Sequence, residues 1–382
     1  MGALAFSLMS SLREANASAQ SIILGYIGDQ NNISTKMVAY YPGWVSNSNN
    51  FNPNLIDGKQ FTHINYAFVG FDKDGNLISG AVAQASFEQL RALKQKYGHI
   101  KTLVSVGGGS FKPELFSHVA AHEKTRTQFV QSCVQFCKTY GFDGIDLDWE
   151  YPRSADKQNF TLLLKELFQA GKKVDPAFVI SIAGPVNFAK LACIDLPAIA
   201  PFIDWINVMA YDFHGPWKGS IADKMTHHHA PLFFSGTDFQ ELCIDAVINY
   251  YQAHKIPAEK LILGIPLYGR SYGGVTKTET GLFCDYTCPG SGVLRPGIHT
   301  YSHIQNNIAK TYTEFWDDKA QAAYYYNSAL SDFISCETPR SLVLKAQYIK
   351  KRALGGAMFW ALYNPEICEA TGIVYGELCS QK

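Results

Sequence analysis

Four acidic residues crowd into one short segment, FDGIDLDWEYP at 142–152. Three of them, Asp146, Asp148 and Glu150, alternate with Ile145, Leu147 and Trp149. Because strand side chains point alternately to opposite faces, the three acids share one face and the apolar residues share the other. Closely packed carboxyl groups cannot all ionise cheaply, so at least one keeps its proton near neutral pH. The pattern predicts acid catalysis, with Glu150 as the proton donor to a leaving group.

This segment has two other interpretations. A solvated edge strand would also carry acids, but it would not need an apolar opposite face within a series of strands and helices. A divalent metal site is the second alternative, because Asp-x-Asp-x-Glu offers carboxylate oxygens. Asp143 has the opposite parity and lies near the start of the strand, so we expect it to have a structural hydrogen-bonding role.

The acids must be positioned by the surrounding strands and helices. From residue 37 the sequence alternates between short apolar segments and longer amphipathic stretches. Runs rich in Val, Ile and Leu that alternate with helices are typical of parallel βαβ units. The predicted strands are 37–41, 61–69, 101–106, 142–148, 178–183, 205–210, 261–266 and 355–361. Eight such units predict a (β/α)₈ barrel with Glu150 at its C-terminal mouth. A doubly wound open sheet is the competitor, but no GxGxxG follows the first strand.

One interval breaks the repeat, because about ninety residues separate the last two strands, far more than a loop and a helix require. We interpret 272–338 as a small inserted subdomain that walls the active site. Its clearest helical pattern is EFWDDKAQAAYYYN at 314–327. The predicted domains are a leader at 1–36, the barrel at 37–271 and 339–382, and this insertion.

Composition limits the possible partners. Lys plus Arg equals Asp plus Glu at 33 each, so the chain has no charge excess that would indicate nucleic acid or an anionic membrane. The chain has no run of 18 apolar residues, so no membrane-spanning helix is predicted. The opening residues end in Ala17-Ser18-Ala19, a small-residue cleavage pattern, although Arg13 and Glu14 interrupt the apolar region. A secreted or extracellular protein is the expectation.

The cysteine count gives a further expectation. Nine cysteines leave at least one unpaired in a monomer. Cys284 with Cys288, and Cys368 with Cys379, are the candidate disulfides because they lie in loop-like segments. CDYTC resembles a metal half-site only loosely, and no second cysteine pair follows it.

The segment DGIDLDWEYP resembles the DGxDxDxE signature of family 18 glycoside hydrolases, the chitinases. Further segments match that family in the same order, and the resemblance covers residues 37 to about 377. They are NYAF (65–68), LVSVGG (103–108), NVMAYDFHGPW (207–217), HHHAPLF (227–233), GIPLYGRSY (264–272) and GGAMFWAL (355–362). The resemblance implies a barrel whose insertion is an α+β subdomain, as in the deep-cleft chitinases.

The resemblance implies a role for each acid. Glu150 would protonate the glycosidic oxygen while the acetamido oxygen of the substrate attacks the anomeric carbon. Asp148 would orient the acetamido N–H, and Asp146 would share a proton with Asp148. Tyr211 would donate its hydroxyl to the acetamido oxygen, and Asp212 would bind the sugar at the cleavage point.

The resemblance also implies a sugar-binding surface, with Trp360 as the floor beneath the distorted sugar. Tyr40 and Phe68 would lie beside it, and Trp44 and Trp217 would stack on the glycone and aglycone sides. Further cleft positions are Met209, Tyr268 and Arg270. An isolated aromatic residue is normally core, but the motif context favours substrate contact here. For Trp149 the outward parity indicates a structural role.

Two features need separate interpretation. Many family members have Trp after the SxGG motif, whereas this chain has Gly109, which predicts weaker binding on the distal glycone side. His227, His228 and His229 could suggest a metal, but adjacent residues rarely converge on one ion. We therefore interpret them as part of a substrate-loop or packing segment.

The predicted function is a chitinase that retains anomeric configuration through an oxazolinium intermediate. The alternatives are a chitin-binding lectin on the same barrel and an endo-β-N-acetylglucosaminidase acting on other N-acetylhexosamine glycans. Family lectins have lost the acid, whereas Glu150, Asp148, Asp146 and Tyr211 are all present here. We expect chitin or chito-oligosaccharides as partners, no nucleic acid or membrane, no metal or cofactor, and a monomer.

Overall fold

The computed structural model describes residues 35–48, 51–217, 224–236, 242–276 and 278–380. Of the predicted leader at 1–36, residues 1–34 lie outside this part of the chain. None of the helices that the structure describes is both long enough and apolar enough to cross a membrane.

Strands and helices alternate along most of the chain. The strands are β1 (Lys36–Pro42), β2 (His63–Phe71), β3 (Leu77–Ile78), β4 (Lys101–Gly107), β5 (Gly144–Asp148), β6 (Val179–Gly184), β7 (Trp205–Val208), β8 (Leu261–Pro266), β9 (Tyr268–Gly273), β10 (Cys288–Pro289), β11 (Ile298–Thr300), β12 (Thr313–Asp317), β13 (Ala322–Asn327), β14 (Asp332–Cys336) and β15 (Gly356–Trp360). The α-helices are α1 (Val45–Ser48), α2 (Ala81–Tyr97), α3 (Pro113–Ala121), α4 (Glu123–Tyr140), α5 (Lys157–Val174), α6 (Phe188–Leu191), α7 (Leu196–Ile199), α8 (Ile244–Ala253), α9 (Tyr301–Asn306), α10 (Pro339–Lys351) and α11 (Cys368–Cys379).

A closed parallel barrel forms the larger part of the structure. Its strands follow the order β1, β15, β8, β7, β6, β5, β4 and β2, and β2 pairs in parallel with β1 to close the ring. β3 adds one short antiparallel pairing at the edge of β2. The predicted (β/α)₈ barrel is therefore confirmed, and each predicted strand overlaps an observed one.

The barrel helices form where the sequence has apolar residues at helical spacing. α5 buries Phe160, Leu163, Leu164, Leu167 and Gly171, the i, i+3, i+4, i+7 pattern of one helix face. α4 ends at Gly141, whose φ of 78° lies in the left-handed region that commonly terminates helices. Such helices cover the outward side of the strands, so the strand residues of opposite parity face the barrel interior.

A second, antiparallel sheet lies in the predicted insertion. Its order is β10, β9, β14, β13 and β12, and β11 also pairs with β9. The sheet begins at Tyr268, so the predicted boundary at 272 falls inside its first strand. EFWDDKAQAAYYYN is a hairpin of β12 and β13, so the helical interpretation of that segment is wrong. The three consecutive Tyr side chains point alternately to opposite faces of β13, as in a strand. Gln321 in the turn has a left-handed φ of 50°, which a right-handed helix excludes.

The predicted disulfides are also wrong, because none of the four cysteines Cys284, Cys288, Cys368 and Cys379 forms a disulfide. Cys368 and Cys379 are the first and last residues of α11, so they are separated by the length of that helix. At 1.5 Å per residue this separation is roughly 16 Å, far beyond the Cα distance that a disulfide allows. Cys284 forms a contact of 3.2 Å with the Thr278 hydroxyl instead.

Candidate active site

The acidic face of β5 points into the barrel, as the strand parity predicts. Asp146 is fully buried, Asp148 is 4% exposed, and Glu150 is half-buried just beyond the end of the strand. Ile145 and Leu147, of the opposite parity, pack in the core. β5 thus carries three carboxyl groups from the barrel interior to its C-terminal mouth.

Asp146 is held by donors from four strands. The hydroxyls of Tyr40 and Ser105 donate to its Oδ2 at 2.7 and 2.6 Å. The Ser181 hydroxyl and the Asn207 amide donate to its Oδ1 at 2.6 and 3.0 Å. Burial raises the pKa of Asp146, while these hydrogen bonds act in the opposite direction. The carboxyl group is fixed on all sides and is not available to a ligand.

Asp148 has very different surroundings. Its Oδ1 is buried and has no hydrogen-bond partner among the described residues. Burial and the neighbouring charges of Glu150 and Asp146 raise its pKa well above the ordinary value. One carboxyl group next to the cleft therefore favours its protonated form and keeps an oxygen free.

The pKa of Glu150 is also raised. Burial raises its pKa, as does the charge of Asp212, while a hydrogen bond with Tyr151 has the opposite effect. The backbone of Gly109 lies close to Glu150, since a Cβ placed there would be 3.0 Å from the Glu150 Oε1. Glu150 can therefore hold a proton and offer it to a bound molecule.

Tyr211 lies next to these carboxyl groups and is buried. Burial and the charges of Asp148, Glu150 and Asp212 raise its pKa well above the ordinary value. The phenol consequently stays protonated and can donate a hydrogen bond. Met209, two residues earlier, is partly buried and packs against the core, and its carbonyl accepts the Tyr211 N–H at 2.7 Å.

Asp212 is the one acid of the site whose pKa is lowered. The Tyr268 hydroxyl and the Arg270 Nε donate to its Oδ1 at 2.7 and 2.8 Å, and the Arg270 Nη2 donates to its Oδ2. Burial alone would raise the pKa, but the charge of Arg270 and contacts with His229 hold it well below its ordinary value. The site thus combines an ionised carboxylate with carboxyl groups that favour protonation.

Aromatic rings form a surface beside the carboxyl groups. Trp360 stacks on Phe68 with ring centres 5.6 Å apart, and the Tyr40 ring meets Trp360 edge-on at 5.4 Å. Trp44 continues the surface, 6.3 Å from Phe68, and is 49% exposed. Exposed rings of this kind present a face to which the apolar face of a sugar can pack.

Trp217 belongs to the loop that follows Asp212, and 40% of its surface is exposed. The Arg270 guanidinium lies 5.5 Å from the Trp217 ring and 5.4 Å from the Tyr268 ring. Arg270 therefore connects this ring to Asp212. The residues that the sequence predicts around Asp212 form one connected group.

Two predicted structural roles are confirmed nearby. Asp143 accepts a hydrogen bond from the Thr102 N–H at 2.7 Å and pairs with Lys94. Trp149 is buried and stacks on Phe116 with ring centres 5.1 Å apart. Neither residue faces the carboxyl groups of the site.

The sequence interpretation missed several residues that hold the site. Ser105 and Ser181 are the register partners of Asp146 on the two adjacent strands. Aligning the predicted strands by parity would have found this pair. Asn207, which has inward parity on β7, binds Asp146 from two strands away. Tyr151 and His229 lie in segments that the sequence analysis singled out, but their partners Glu150 and Asp212 are set by the tertiary fold.

Comparisons with known proteins show which sequences this chain resembles. The profile of Glycosyl hydrolases family 18 matches residues 36–364. Chitinase A1 of Niallia circulans is 34% identical over 86% of this chain and 56% of its own length. Chitinase 1 of Aphanocladium album is 32% identical over 84% of this chain and 79% of its own. This chain therefore spans little more than half the length of the first relative.

A solved structure has a similar fold. The Group IV chitinase of Ostrinia furnacalis, in complex with allosamidin, superposes with a TM-score of 0.81 at 27% identity. The match covers 90% of this chain and 97% of that protein.

Proposed function

We propose that this chain, which belongs to family 18 of the glycosyl hydrolases, is a chitinase that cleaves β-1,4-linked N-acetylglucosamine polymers. The observation that carries the proposal is the row of carboxyl groups on β5, where burial raises the pKa of Asp148 and Glu150 at the C-terminal mouth of the barrel. A binding protein has no use for a carboxyl group kept protonated at such a cost in burial.

In the proposed first step, Glu150 gives its proton to the glycosidic oxygen as the bond to the anomeric carbon breaks. The acetamido oxygen of the same sugar attacks that carbon and forms an oxazolinium ion. Family 18 is a known substrate-assisted exception to the two-carboxylate scheme, and this step follows the mechanism of the family. The raised pKa of Asp148 supports it, because a protonated carboxyl group is a poor nucleophile.

Asp148 and Tyr211 would hold the acetamido group in the attacking position. The free Oδ1 of Asp148 would accept the acetamido N–H and so gain the partner that it lacks. Tyr211, with its phenol protonated, would donate to the acetamido oxygen. Asp146 would keep Asp148 in place and share its proton as charge develops on the sugar.

The second step reverses the proton transfer. Glu150, now ionised, would take a proton from a water molecule that attacks the anomeric carbon and opens the oxazolinium ring. Two displacements at the same carbon return the original configuration, so the product is the β-anomer. The proton that Glu150 gives to the leaving group is replaced by the proton that it takes from water, so the cycle closes.

The aromatic surface would bind the polymer on both sides of the cleavage point. Trp360 would lie beneath the distorted sugar, with Tyr40 and Phe68 beside it. Trp44 and Trp217 would stack on the glycone and aglycone sides, a placement that their exposure supports. Asp212, with Tyr268 and Arg270, would hold the sugar at the cleavage point, and Met209 would line the cleft.

The proposal also covers the role of the insertion, the oligomeric state and the location of the protein. The insertion, whose antiparallel sheet begins at Tyr268, would wall the cleft next to Asp212. We propose that the protein is a monomer and is secreted, since chitin is an extracellular polymer too large to enter a cell.

The experiment that tests this function compares the wild type with Glu150→Gln on a chitin tetramer. Hydrolysis by the wild type, lost in the variant while calorimetry still detects tetramer binding, would support a chitinase with Glu150 as the acid. Binding by both proteins without cleavage would instead indicate a lectin. Neither binding nor cleavage would indicate a different N-acetylhexosamine glycan as the substrate.

A further inference from the structure

The three consecutive histidines lie in an irregular segment, residues 226–233, which we call the histidine strap. Each ring faces a different partner. The His227 ring stacks on His214 with ring centres 3.8 Å apart. His228 Nε2 lies 3.1 Å from the Asp317 Oδ2 of β12. The third ring is aimed at the candidate active site.

His229 Nδ1 lies 3.6 Å from the Oδ1 of Asp212, an electrostatic contact slightly longer than a hydrogen bond. The ring is fully buried and also contacts Tyr268, with ring centres 5.2 Å apart. Tyr268 and Arg270 approach Asp212 from β9. His229 is therefore the contact to Asp212 that comes from outside that strand.

The backbone of His229 is fixed from two directions. Its N–H donates to the Ser335 hydroxyl of β14 at 3.0 Å. Its carbonyl accepts the Phe213 N–H at 3.0 Å, and Phe213 directly follows Asp212. One residue thus bonds to the antiparallel sheet on one side and to the loop of Asp212 on the other.

The rest of the strap is bonded to the insertion along its length. The N–H groups of Leu232 and Phe233 donate to the Ala320 carbonyl at 3.0 and 3.1 Å. At the other end, the Thr226 N–H donates to the Cys284 carbonyl at 2.8 Å. These bonds leave the His229 ring little freedom to move away from Asp212.

Asp212 needs such a support because of its other contacts. Arg270 binds both of its carboxylate oxygens, which is the strongest geometry for a guanidinium and a carboxylate. Left alone, this bidentate contact would set the orientation of the carboxylate. Asp212 also has a left-handed φ of 58°, so its backbone depends on its surroundings to hold that conformation.

We propose that His229 is a positioning residue that orients the Asp212 carboxylate toward the bound sugar and transmits the position of the insertion to the cleavage site. The proposal rests on the proposed role of Asp212 in binding the sugar. In this proposal the neutral ring carries its proton on Nδ1, the nitrogen that lies nearer to Asp212. Loss of this contact lets the Asp212 carboxylate and the Arg270 guanidinium bound to it shift together, so the carboxylate is no longer aligned with the cleaved bond.

The test uses a matched pair of substitutions at His229. An asparagine amide nitrogen takes the place of the ring Nδ1, whereas a glutamine amide reaches the place of Nε2. His229→Asn should keep kcat/KM on the chitin tetramer within about threefold of the wild type, while His229→Gln loses about tenfold or more. Equal activity of the two variants would overturn the proposal, because both keep a buried amide.

A double substitution separates positioning from a general structural effect. In an Asp212→Asn background, His229→Gln should cause no further loss of kcat/KM, since the carboxylate that it positions is gone. Additive losses would contradict the proposal. His228→Gln is the matched control, because His228 contacts Asp317 instead, and it should lower Tm without the loss of kcat/KM.

These outcomes are distinct from failure of the proposed function. A wild-type protein that does not cleave the tetramer would refute the chitinase proposal itself. A wild-type protein that cleaves it, with His229→Gln equally active, would refute only the role of His229.

Discussion

Asp146 and Asp148 lie two residues apart on one strand face, yet their surroundings assign them different tasks. Asp146 accepts hydrogen bonds from Ser105 and Ser181 on the two adjacent strands and from Tyr40 and Asn207 on more distant strands, and these satisfy both of its oxygens. Asp148 keeps one buried oxygen unpaired. The first carboxyl group is therefore a fixed support, and the second fits the proposed role of binding the acetamido group, which would supply the missing partner.

The unpaired carboxyl group of Asp148 should cost stability at neutral pH. Its folded-state pKa is raised above the unfolded value of about 3.9, so the penalty is absent below that value and grows as the pH rises toward the folded pKa. We predict that Asp148→Asn is inactive yet more stable than the wild type at pH 7, by at least about 1 kcal/mol. Urea unfolding of both proteins at about pH 3 and at pH 7 measures the difference in stability at each pH.

The expected stability difference for Asp148→Asn shrinks toward zero at the acidic pH, since the carboxyl group is then mostly protonated in both states. Asp143→Asn is the control, because Asp143 is paired with Lys94 and its loss should give no gain at pH 7. A stabilisation of Asp148→Asn that is the same at both pH values would contradict the assigned cause.

Gly109 lies close to Glu150, and the resemblance to family 18 places an aromatic residue there in many relatives. We predict that Gly109→Trp lowers KM for long chitin oligomers about two- to tenfold, which is the change that the free energy of one aromatic contact would produce. Gly109→Ala is the control, since it adds only the Cβ, 3.0 Å from the Glu150 Oε1. Steady-state kinetics on a hexamer would exclude the idea if Gly109→Trp left KM unchanged.

At the scale of the elements, β5 depends on a glycine at its first position. A Cβ at Gly144 would lie 2.0 Å from the Val179 carbonyl oxygen on β6. We predict that Gly144→Ala lowers the free energy of unfolding by about 3 kcal/mol or more, because neither backbone can yield. Gly80→Ala is the control, since no atom lies within 4 Å of a Cβ there, and its Tm should stay close to that of the wild type.

The result that would contradict this explanation is a Gly144→Ala variant with wild-type stability. Such a result would mean that β5 and β6 can separate without cost. The register that sets Asp146 level with Ser181 would then not be fixed by this close contact.

The barrel strands could be predicted from the sequence because each is a short apolar run between helical patterns. The acidic face of β5 followed from strand parity alone. The β12–β13 hairpin was not predicted, because EFWDDKAQAAYYYN has a helix-like pattern and its strand pairing depends on β14. The contact between His229 and Asp212 was equally hidden, since it joins two loops that only the complete fold brings together.

At the scale of the whole molecule, a buried ion pair holds the helix that follows the insertion, and the lysine of this pair also bonds to the histidine strap. The side chains of Lys345 on α10 and of Glu337 are 1% and 2% exposed, and the Lys345 ammonium also donates to the Ala230 carbonyl at 2.9 Å. We predict that Lys345→Met lowers the free energy of unfolding by about 3–5 kcal/mol, because it leaves Glu337 buried without its charged partner. Urea unfolding measures the loss.

The double variant Lys345→Met with Glu337→Leu is the control for this pair. Removing both charges should restore most of the stability, since an apolar pair of similar volume is often as stable as a buried ion pair. A double variant no more stable than Lys345→Met would show that the loss arises from packing and not from the unpaired charge.

The candidate site draws on three parts of the molecule. The barrel supplies the carboxyl groups of β5, the antiparallel sheet supplies Tyr268 and Arg270, and the histidine strap connects the two. Because β9 follows β8 after a single residue, the insertion starts directly at the barrel mouth. Cleavage and substrate alignment are therefore expected to depend on both sheets.

The measurement that tests the central claim most directly is the anomeric form of the first product. Proton NMR would follow the wild type on a chitin tetramer from the start of the reaction, before mutarotation equalises the anomers. A retaining mechanism through Glu150 and the acetamido group predicts an initial excess of the β-anomer, which Glu150→Gln does not produce. An initial excess of the α-anomer would contradict the account, because it would require direct attack by water on the opposite face.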